Sequence, residues 1–415
     1  MTFRTIKPVS LPARRPRPRQ TEISEPRRII VMLAMAVGAF AIGTTEFVTM
    51  GLLSLIAEDF GVTEDVAGRI ISAYALGVVI GAPGIAALTG RLPRRRLLLL
   101  LTFGLVLGNL LTVLAAVTGS LWVLMAARVI SGLPHGAYFS VAGLSAASMA
   151  PPGQRGQAIA FVGMGLSVAT VVGVPAAQAL GQLAGWPAAY ALVVALFLIC
   201  LVALWFLMPH MTQMKATGFR TELSALTKSQ VWLTVAMGTV GFGGMFSVYT
   251  YISWTMVDRA GLDPAWMPAV LMCYGVGSVV GNWFGGRIAD RNLEFGILFS
   301  LIMIAVVLVC FYFSSTNIIL GSINFGLVSF FGSTLIPSLQ IRLMDVAGDA
   351  QTLAAALNQS ALNLANALGA ALGGAVIAAG HGYAAPAFAG AGLAAAAILV
   401  WIPAFLLRRR SLAAA

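Results

Sequence analysis

The chain has 415 residues, of which 59% are hydrophobic and 9% charged, and its formal net charge is +11. Soluble globular chains are about 25% charged, so this composition excludes a water-facing surface over most of the molecule and fits a chain solvated by lipid. Cys200, Cys273 and Cys310 lie in apolar runs with no CxxC and no histidine at ligand spacing, which excludes a zinc site or a disulfide framework and reads as packing.

Residues 1–28 are rich in Arg and Pro (Arg14, Arg15, Pro16, Arg17, Pro18, Arg19) and have no apolar core, so they read as a disordered basic cytoplasmic tail and not as a signal peptide. A spanning helix needs about 20 mostly apolar residues. Runs of that kind begin near Ile29, Val66, Leu97, Leu121, Gln157 and Ala188, giving a first bundle over 29–208. A polar linker follows over 209–230, and further runs begin near Val231, Ala265, Phe295, Ile318, Leu353 and Ala384, giving a second bundle over 231–407 before a short tail, 408–415. The predicted fold is all-α, with about twelve transmembrane helices in two six-helix bundles.

The basic residues fall on one side of these spans. Of the 25 Lys and Arg, only Arg69 and Arg259 lie in the opposite loops and only Arg128 deep in a span; the rest sit in the tails, the linker and alternate loops, including Arg91 and Arg94 after the second span, Arg291 after the eighth and Arg342 after the tenth. This is the positive-inside pattern, and it puts both termini and the linker in the cytoplasm of a cell-membrane protein. The charge is thereby explained by topology, and a nucleic-acid partner is not expected.

The two halves match at an offset of 200 residues. Gly43, Tyr74, Gly77, Val79, Gly81 and Arg91 recur as Gly243, Tyr274, Gly277, Val279, Gly281 and Arg291. Duplicated bundles can rock around a central site and open it to either side in turn; the competing reading is duplication without rocking, as in a channel. Gly77-x-x-x-Gly81, Gly277-x-x-x-Gly281 and Gly369-x-x-x-Gly373 permit close helix approach.

Of the fourteen acids, only Glu46 falls in the middle of a span. A charge there costs at least about 2.5–3.5 kcal/mol, and an apolar environment favours the neutral form of a carboxyl group. Glu46 is therefore the candidate that exchanges a proton for cargo, against the alternative of a permanently neutral residue joining helices by a hydrogen bond. Arg128 must find a partner or a wet cavity. His135 lies two turns further along the same helix and shares its face; histidine titrates near neutrality, although beside Pro134 it can equally cap a kink. Thr45 and Phe47 flank Glu46 and are candidate substrate contacts. So are Tyr249 and Tyr251 in the seventh span, as aromatic pocket walls or as interface anchors. Asn363 and Asn366 share a face of the eleventh span and need either a substrate or a cross-helix partner.

Gly286-Arg287-Ile288-Ala289-Asp290-Arg291 resembles the loop signature of the major facilitator superfamily, and Arg91 and Arg94 belong to the matching loop of the first half, where Gly90 replaces the usual acid. Arg128-x-x-x-Gly132-x-x-x-Gly136 resembles that family's fourth-helix arginine motif, and Gly173-Val174-Pro175 its fifth-helix antiporter motif. Gly43-Thr44-Thr45-Glu46-Phe47 and the span-eleven Asn/Gly pattern resemble the drug and sugar exporter branch. The resemblance implies a monomeric proton-coupled antiporter exporting small amphipathic compounds such as antibiotics. Its loop residues would form a cytoplasmic gate, and Arg128 would tune proton release. Export of sugars or other polar metabolites is the alternative. A membrane-embedded enzyme is remote, because no phosphate-binding loop, HExxH, GxSxG or clustered metal ligands occur and no cofactor is implied.

Overall fold

A computed structural model describes residues 24–62, 64–210, 218–263 and 266–413. Eleven of its helices are long and apolar enough to cross a membrane. In the first half these are α1 (Glu25–Gly51), α2 (Arg69–Thr89), α3 (Arg94–Thr118), α5 (Arg155–Ala184) and α6 (Trp186–Leu207). Between α3 and α5 runs α4 (Leu121–Met149), whose 29 residues span about 43 Å. It is long enough to cross but too polar to meet the apolar criterion, because it carries Arg128, Ser131, His135, Ser140 and Ser145. The second half contains α7 (Ser229–Tyr249), α8 (Met267–Arg291), α9 (Leu293–Ser314), α10 (Ile318–Ala347), α11 (Gln351–His381) and α12 (from Pro386).

Every major contact inside the first bundle has a counterpart six helices on. α2 packs on α4 as α8 packs on α10, α1 on α5 as α7 on α11, and α3 on α6 as α9 on α12. The 200-residue repeat is therefore a repeat of packing. Its closest seams are α2–α4 and α8–α10, where Gly77 and Gly81 lie against the carbonyls of Val129 and Leu133, and Gly277 and Gly281 against those of Gly326 and Phe330. A Cβ at any of these positions would overlap the facing backbone.

The bundles meet along α5–α8 and α2–α11. Among the described residues, the buried apolar clusters that join them gather at the end carrying the basic loops. One joins Ala82 and Ala86 to Leu343, Ala347, Leu353 and Leu357; the other joins Leu144, Ala147 and Ile159 to Ala289, Ile341 and Met344. The molecule is closed at this basic end.

Several expectations need correction. The basic 1–28 segment falls mostly outside the described residues, and α1 already starts at Glu25. Arg94 and Arg342, read as loop residues, are buried inside helices: Arg94 opens α3, and Arg342 lies five residues before the end of α10. Helices continue past the apolar run that betrays them, so a basic residue next to such a run can be helical and covered. Arg342 pairs with Glu294, which also accepts from Arg408 (2.7 Å) and Trp401 Nε1 (3.0 Å). Cys310 is exposed and Cys273 half-buried, so only Cys200 is a packing residue in full.

Replacing Gly281 by Ala is expected to destabilise the protein by about 1–3 kcal/mol through this backbone overlap. Gly84→Ala, on α2, the counterpart of α8 in the first bundle, but with open space around its Cβ position, is expected to be neutral or to gain up to about 1 kcal/mol in helix propensity. Thermal unfolding in detergent distinguishes the two.

Candidate functional site

Arg128 is fully buried at the centre of the first bundle. Its guanidinium donates to Thr45 Oγ1 (3.0 Å), the Thr45 carbonyl (3.2 Å) and Thr49 Oγ1 (3.1 Å). It lies 4.3 Å from the Tyr74 ring centre and 5.3 Å from that of Tyr190, within cation–π range. Thr45 Oγ1 donates onward to Asn109 Oδ1 (2.6 Å), and the hydroxyls of Thr49 and Tyr190 are 2.7 Å apart. One cation thus joins α1, α2, α3, α4 and α6. Thr45, expected to meet the substrate, is wholly covered and serves to hold Arg128 instead.

Tyr74 carries the arrangement further. Its hydroxyl lies 2.9 Å from His135 Nδ1, and the His135 ring sits between those of Tyr74 and Phe139. His135 is buried with a side-chain partner, which is more than a kink cap requires.

Glu46 follows Thr45 in α1 but turns the other way. It is half-buried and has no hydrogen bond or ion pair among the described residues, although it lies in the field of Arg128 on its own side and its own charge reaches Tyr249 on the other bundle. Phe47 beside it is half-buried. Tyr249 belongs to an aromatic cluster, 4.8 Å from Tyr274 and 6.2 Å from Phe325, with Tyr274 and Phe325 also 4.8 Å apart. The glycine contacts align α4 with α10 so that Phe325 stands where Arg128 stands in the first bundle, and the 200-residue register puts Tyr274 at Tyr74 and Tyr249 at Thr49. Tyr74 recurs as Tyr274, while the polar Thr49 and the cationic Arg128 of the first half are replaced by the aromatic Tyr249 and Phe325.

The remaining candidates scatter. Tyr251 donates to the Ala370 carbonyl (2.8 Å) and pins α7 to α11, apart from Glu46. Asn363 is half-buried and donates to Gln359 O (2.9 Å) one turn back, and Asn366 is half-buried. Gly132 lets α4 meet the Tyr74 carbonyl, and Gly136 lies where α4 touches both Ala82 and Gln359. Gly173 lies against Thr44 and Phe40 of α1, and the exposed Pro175 follows a π-turn over Ala169–Gly173. Such a turn is expected where proline removes a ladder donor.

At the basic end, Gly286 brings α8 against Gly156 of α5, and the Asp290 carboxylate accepts from the backbone N–H groups of Gly156 (2.6 Å) and Gln157 (3.0 Å). Arg94 donates to Thr352 Oγ1 (2.6 Å), whereas Arg91 and Arg291 are exposed. Above this gate, a crevice between the bundles is lined by Phe139, Ser167, Ser278, Asn282, Gln340 and Gln359, among others. Ser167 and Ser278 hydroxyls lie 2.7 Å apart, and Asn282 Nδ2 donates to Ser167 Oγ (3.0 Å), so polar groups bond across the seam.

A family model described as Major Facilitator Superfamily matches residues 35–323. The chain belongs to the major facilitator superfamily. The inner membrane transport protein YdhP of Escherichia coli (strain K12) is 38% identical over 369 residues, covering 89% of this chain and 94% of that protein. The chloramphenicol resistance protein of Streptomyces lividans is 32% identical over 389 residues, covering 89% and 94%. The crystal structure of the superfamily transporter FucP in the outward conformation shares the fold, with a TM-score of 0.75 at 16% identity over 91% of this chain and 99% of that one. The superfamily reading from loop and helix motifs is borne out, and the chain is a multi-pass membrane transporter of this class.

Thr45→Val removes one acceptor from a buried guanidinium. It is expected to cost about 1.5–3 kcal/mol, the range for hydrogen bonds to charged groups, seen as a lower unfolding midpoint in detergent; Phe47→Leu is expected to leave the midpoint near its original value.

Proposed function

We propose that the protein is a proton-coupled exporter of small amphipathic compounds, drugs and antibiotics among them, working by alternating access across a cell membrane with both termini and the linker in the cytoplasm. The observation that carries the reading is Glu46, a half-buried mid-span carboxyl group that has no hydrogen bond among the described residues, near a buried cation held by Thr45, Thr49 and two tyrosine rings. A carboxyl group so held can take a proton or a cationic cargo, and the two compete. On the opposite bundle, the half-buried Tyr249 and Tyr274 offer flat apolar surface to the rest of such a molecule, with Phe325 packed behind them. Arg128 places a permanent charge near Glu46, and Tyr74 links Arg128 to His135, the second proton-exchange candidate.

A second reading, export of sugars or other polar metabolites, is favoured by the polar lining of the crevice at Ser167, Ser278, Asn282, Gln340 and Gln359. One proton crossing about 100 mV supplies about 2.3 kcal/mol, which drives roughly 50-fold accumulation of either cargo.

The test uses purified protein in liposomes with an imposed pH gradient. A lipophilic cationic dye is expected to move with the gradient, and Glu46→Gln is expected to reduce the gradient-driven rate at least about tenfold while leaving dye binding measurable. Coupling that survives in Glu46→Gln removes the proposed role. Gradient-driven movement of a monosaccharide, with no dye movement, favours the second reading.

A further inference from the structure

The closed end is built from two helix N-termini, and the bundles treat them alike except in one respect. At α5, Asp290 of the opposite bundle accepts from the N–H groups of Gly156 and Gln157, the second and third residues of the helix. The first few N–H groups of a helix have no partner within it, and they carry its partial positive charge. The symmetry that exchanges the bundles carries α5 to α11 and α8 to α2, so an acid after α2 would do the same for α11. The residue 200 positions before Asp290 is Gly90, which has no side chain to offer.

The place is nevertheless filled. Leu353, third residue of α11 and the counterpart of Gln157, donates its N–H to Glu222 Oε2 at 2.9 Å. Glu222 comes from the linker, in a short helix over Phe219–Leu223, and is fully buried. Arg94, which donates to Thr352 Oγ1 at the same helix start, lies in its field. The linker is anchored at a second point, where Lys228 Nζ donates to the Ala347 carbonyl at the end of α10 (2.6 Å). Ala225 between these two points is fully buried in the cluster that joins Ala82 and Ala86 of α2 to α10 and α11. A segment that reads as a polar tether is thus folded into the gate.

We propose that Glu222 is the first-half gate acid, supplied by the linker in place of the side chain missing at Gly90, and that it positions α11 against α2 and α3 only while the basic end is closed. Opening that end separates α2 and α3 from α11 and breaks the Leu353 contact, just as it breaks the Asp290 contact on the other seam. The linker then senses which way the transporter faces. Gly90 is buried but has helical backbone angles (φ −54°, ψ −24°) that any residue adopts, so a side chain there brings no backbone strain.

The proposal rests on the alternating-access reading, and the test separates the two. In full-length protein with Cys200, Cys273 and Cys310 replaced, a cysteine at Ala355, buried between the bundles at the gate, reports gate opening by its rate of reaction with a membrane-impermeant maleimide. The rate is measured in inside-out and right-side-out vesicles. Glu222→Gln is expected to raise the rate about 5–10-fold from the basic-loop side, the effect of losing one charged helix cap. Asp290→Asn is expected to do likewise, and Gly90→Asp added to Glu222→Gln is expected to bring the rate back. An unchanged rate in Glu222→Gln alongside a raised rate in Asp290→Asn overturns the proposal. So does a raised rate that Gly90→Asp leaves uncorrected, since Glu222 would then act through general linker packing. If Glu222→Gln and Asp290→Asn both leave labelling unchanged, alternating access through this end fails and the proposal falls with it.

Discussion

A guanidinium is a permanent charge, and α4 carries one where neither water nor lipid headgroups reach it. Arg128 forms no ion pair among the described residues. Its charge is dispersed over two threonine hydroxyls, a carbonyl and two tyrosine rings, and those groups come from α1, α2 and α6, with Asn109 of α3 behind them. Leaving any one of these groups out leaves a buried charge short of a partner, at about 1.5–3 kcal/mol for a hydrogen bond, so the helices of this bundle are bound to one another through a single side chain. On the proposed mechanism a bundle bound in that way moves as a body. It also keeps Glu46, the neighbour of Thr45, close to a permanent charge without quenching it in an ion pair.

The second bundle shows what the first would look like without that charge. At the positions of Thr49, Tyr74 and Arg128 it has Tyr249, Tyr274 and Phe325, a ring cluster held by tilted and stacked apolar contacts. The duplicated packing is preserved while the chemistry has diverged. One wall of the cleft presents an acid backed by a cation, and the other presents flat rings. On the proposed mechanism, the first bundle handles the proton and the charged end of a cargo, and the second accepts its apolar part.

The spans were legible because long apolar runs leave few alternatives, and the repeat because Tyr74/Tyr274 and Gly77/Gly277 keep a gapless register. α4 was read as a span from Leu121 as well, although its polar content, which is the site itself, weakens the apolar signal there. Glu46 and Arg128 stood out because ionisable groups at mid-span are rare. Tyr74, Thr49, Tyr190 and Asn109 did not, since each is an ordinary helix residue until packing puts it beside a guanidinium. Only Tyr74 left a trace, as a member of the repeat. Thr45 was misjudged because neighbours on a helix point about 100° apart: flanking the acid in sequence put it on the buried side. Glu222 was hidden for the opposite reason. A polar segment between bundles reads as solvated, and no local pattern tells that its acid meets a helix start about 130 residues away.

The strengths of these parts bear on one another. A charge at a helix N-terminus contributes about 0.3–1 kcal/mol at exposed sites and up to about 2 kcal/mol when partly buried. Asp290 and Glu222 together therefore favour the closed basic end by a few kcal/mol at most. Two conformations that interconvert during turnover must differ by no more than that, or the minor one is too rare to use. The proton on Glu46 has a comparable quantity available, about 2.3 kcal/mol per 100 mV. On the proposed mechanism the gate is thus weak enough for one proton or one bound cargo to tip. Among the described residues, Arg155 with Asp345 is an ion pair that crosses the seam, and it is solvent-exposed and long at 3.4 Å. Surface pairs of that kind contribute about 0–1 kcal/mol. The strongly buried pair, Arg342 with Glu294, lies wholly inside the second bundle, where rocking leaves it intact.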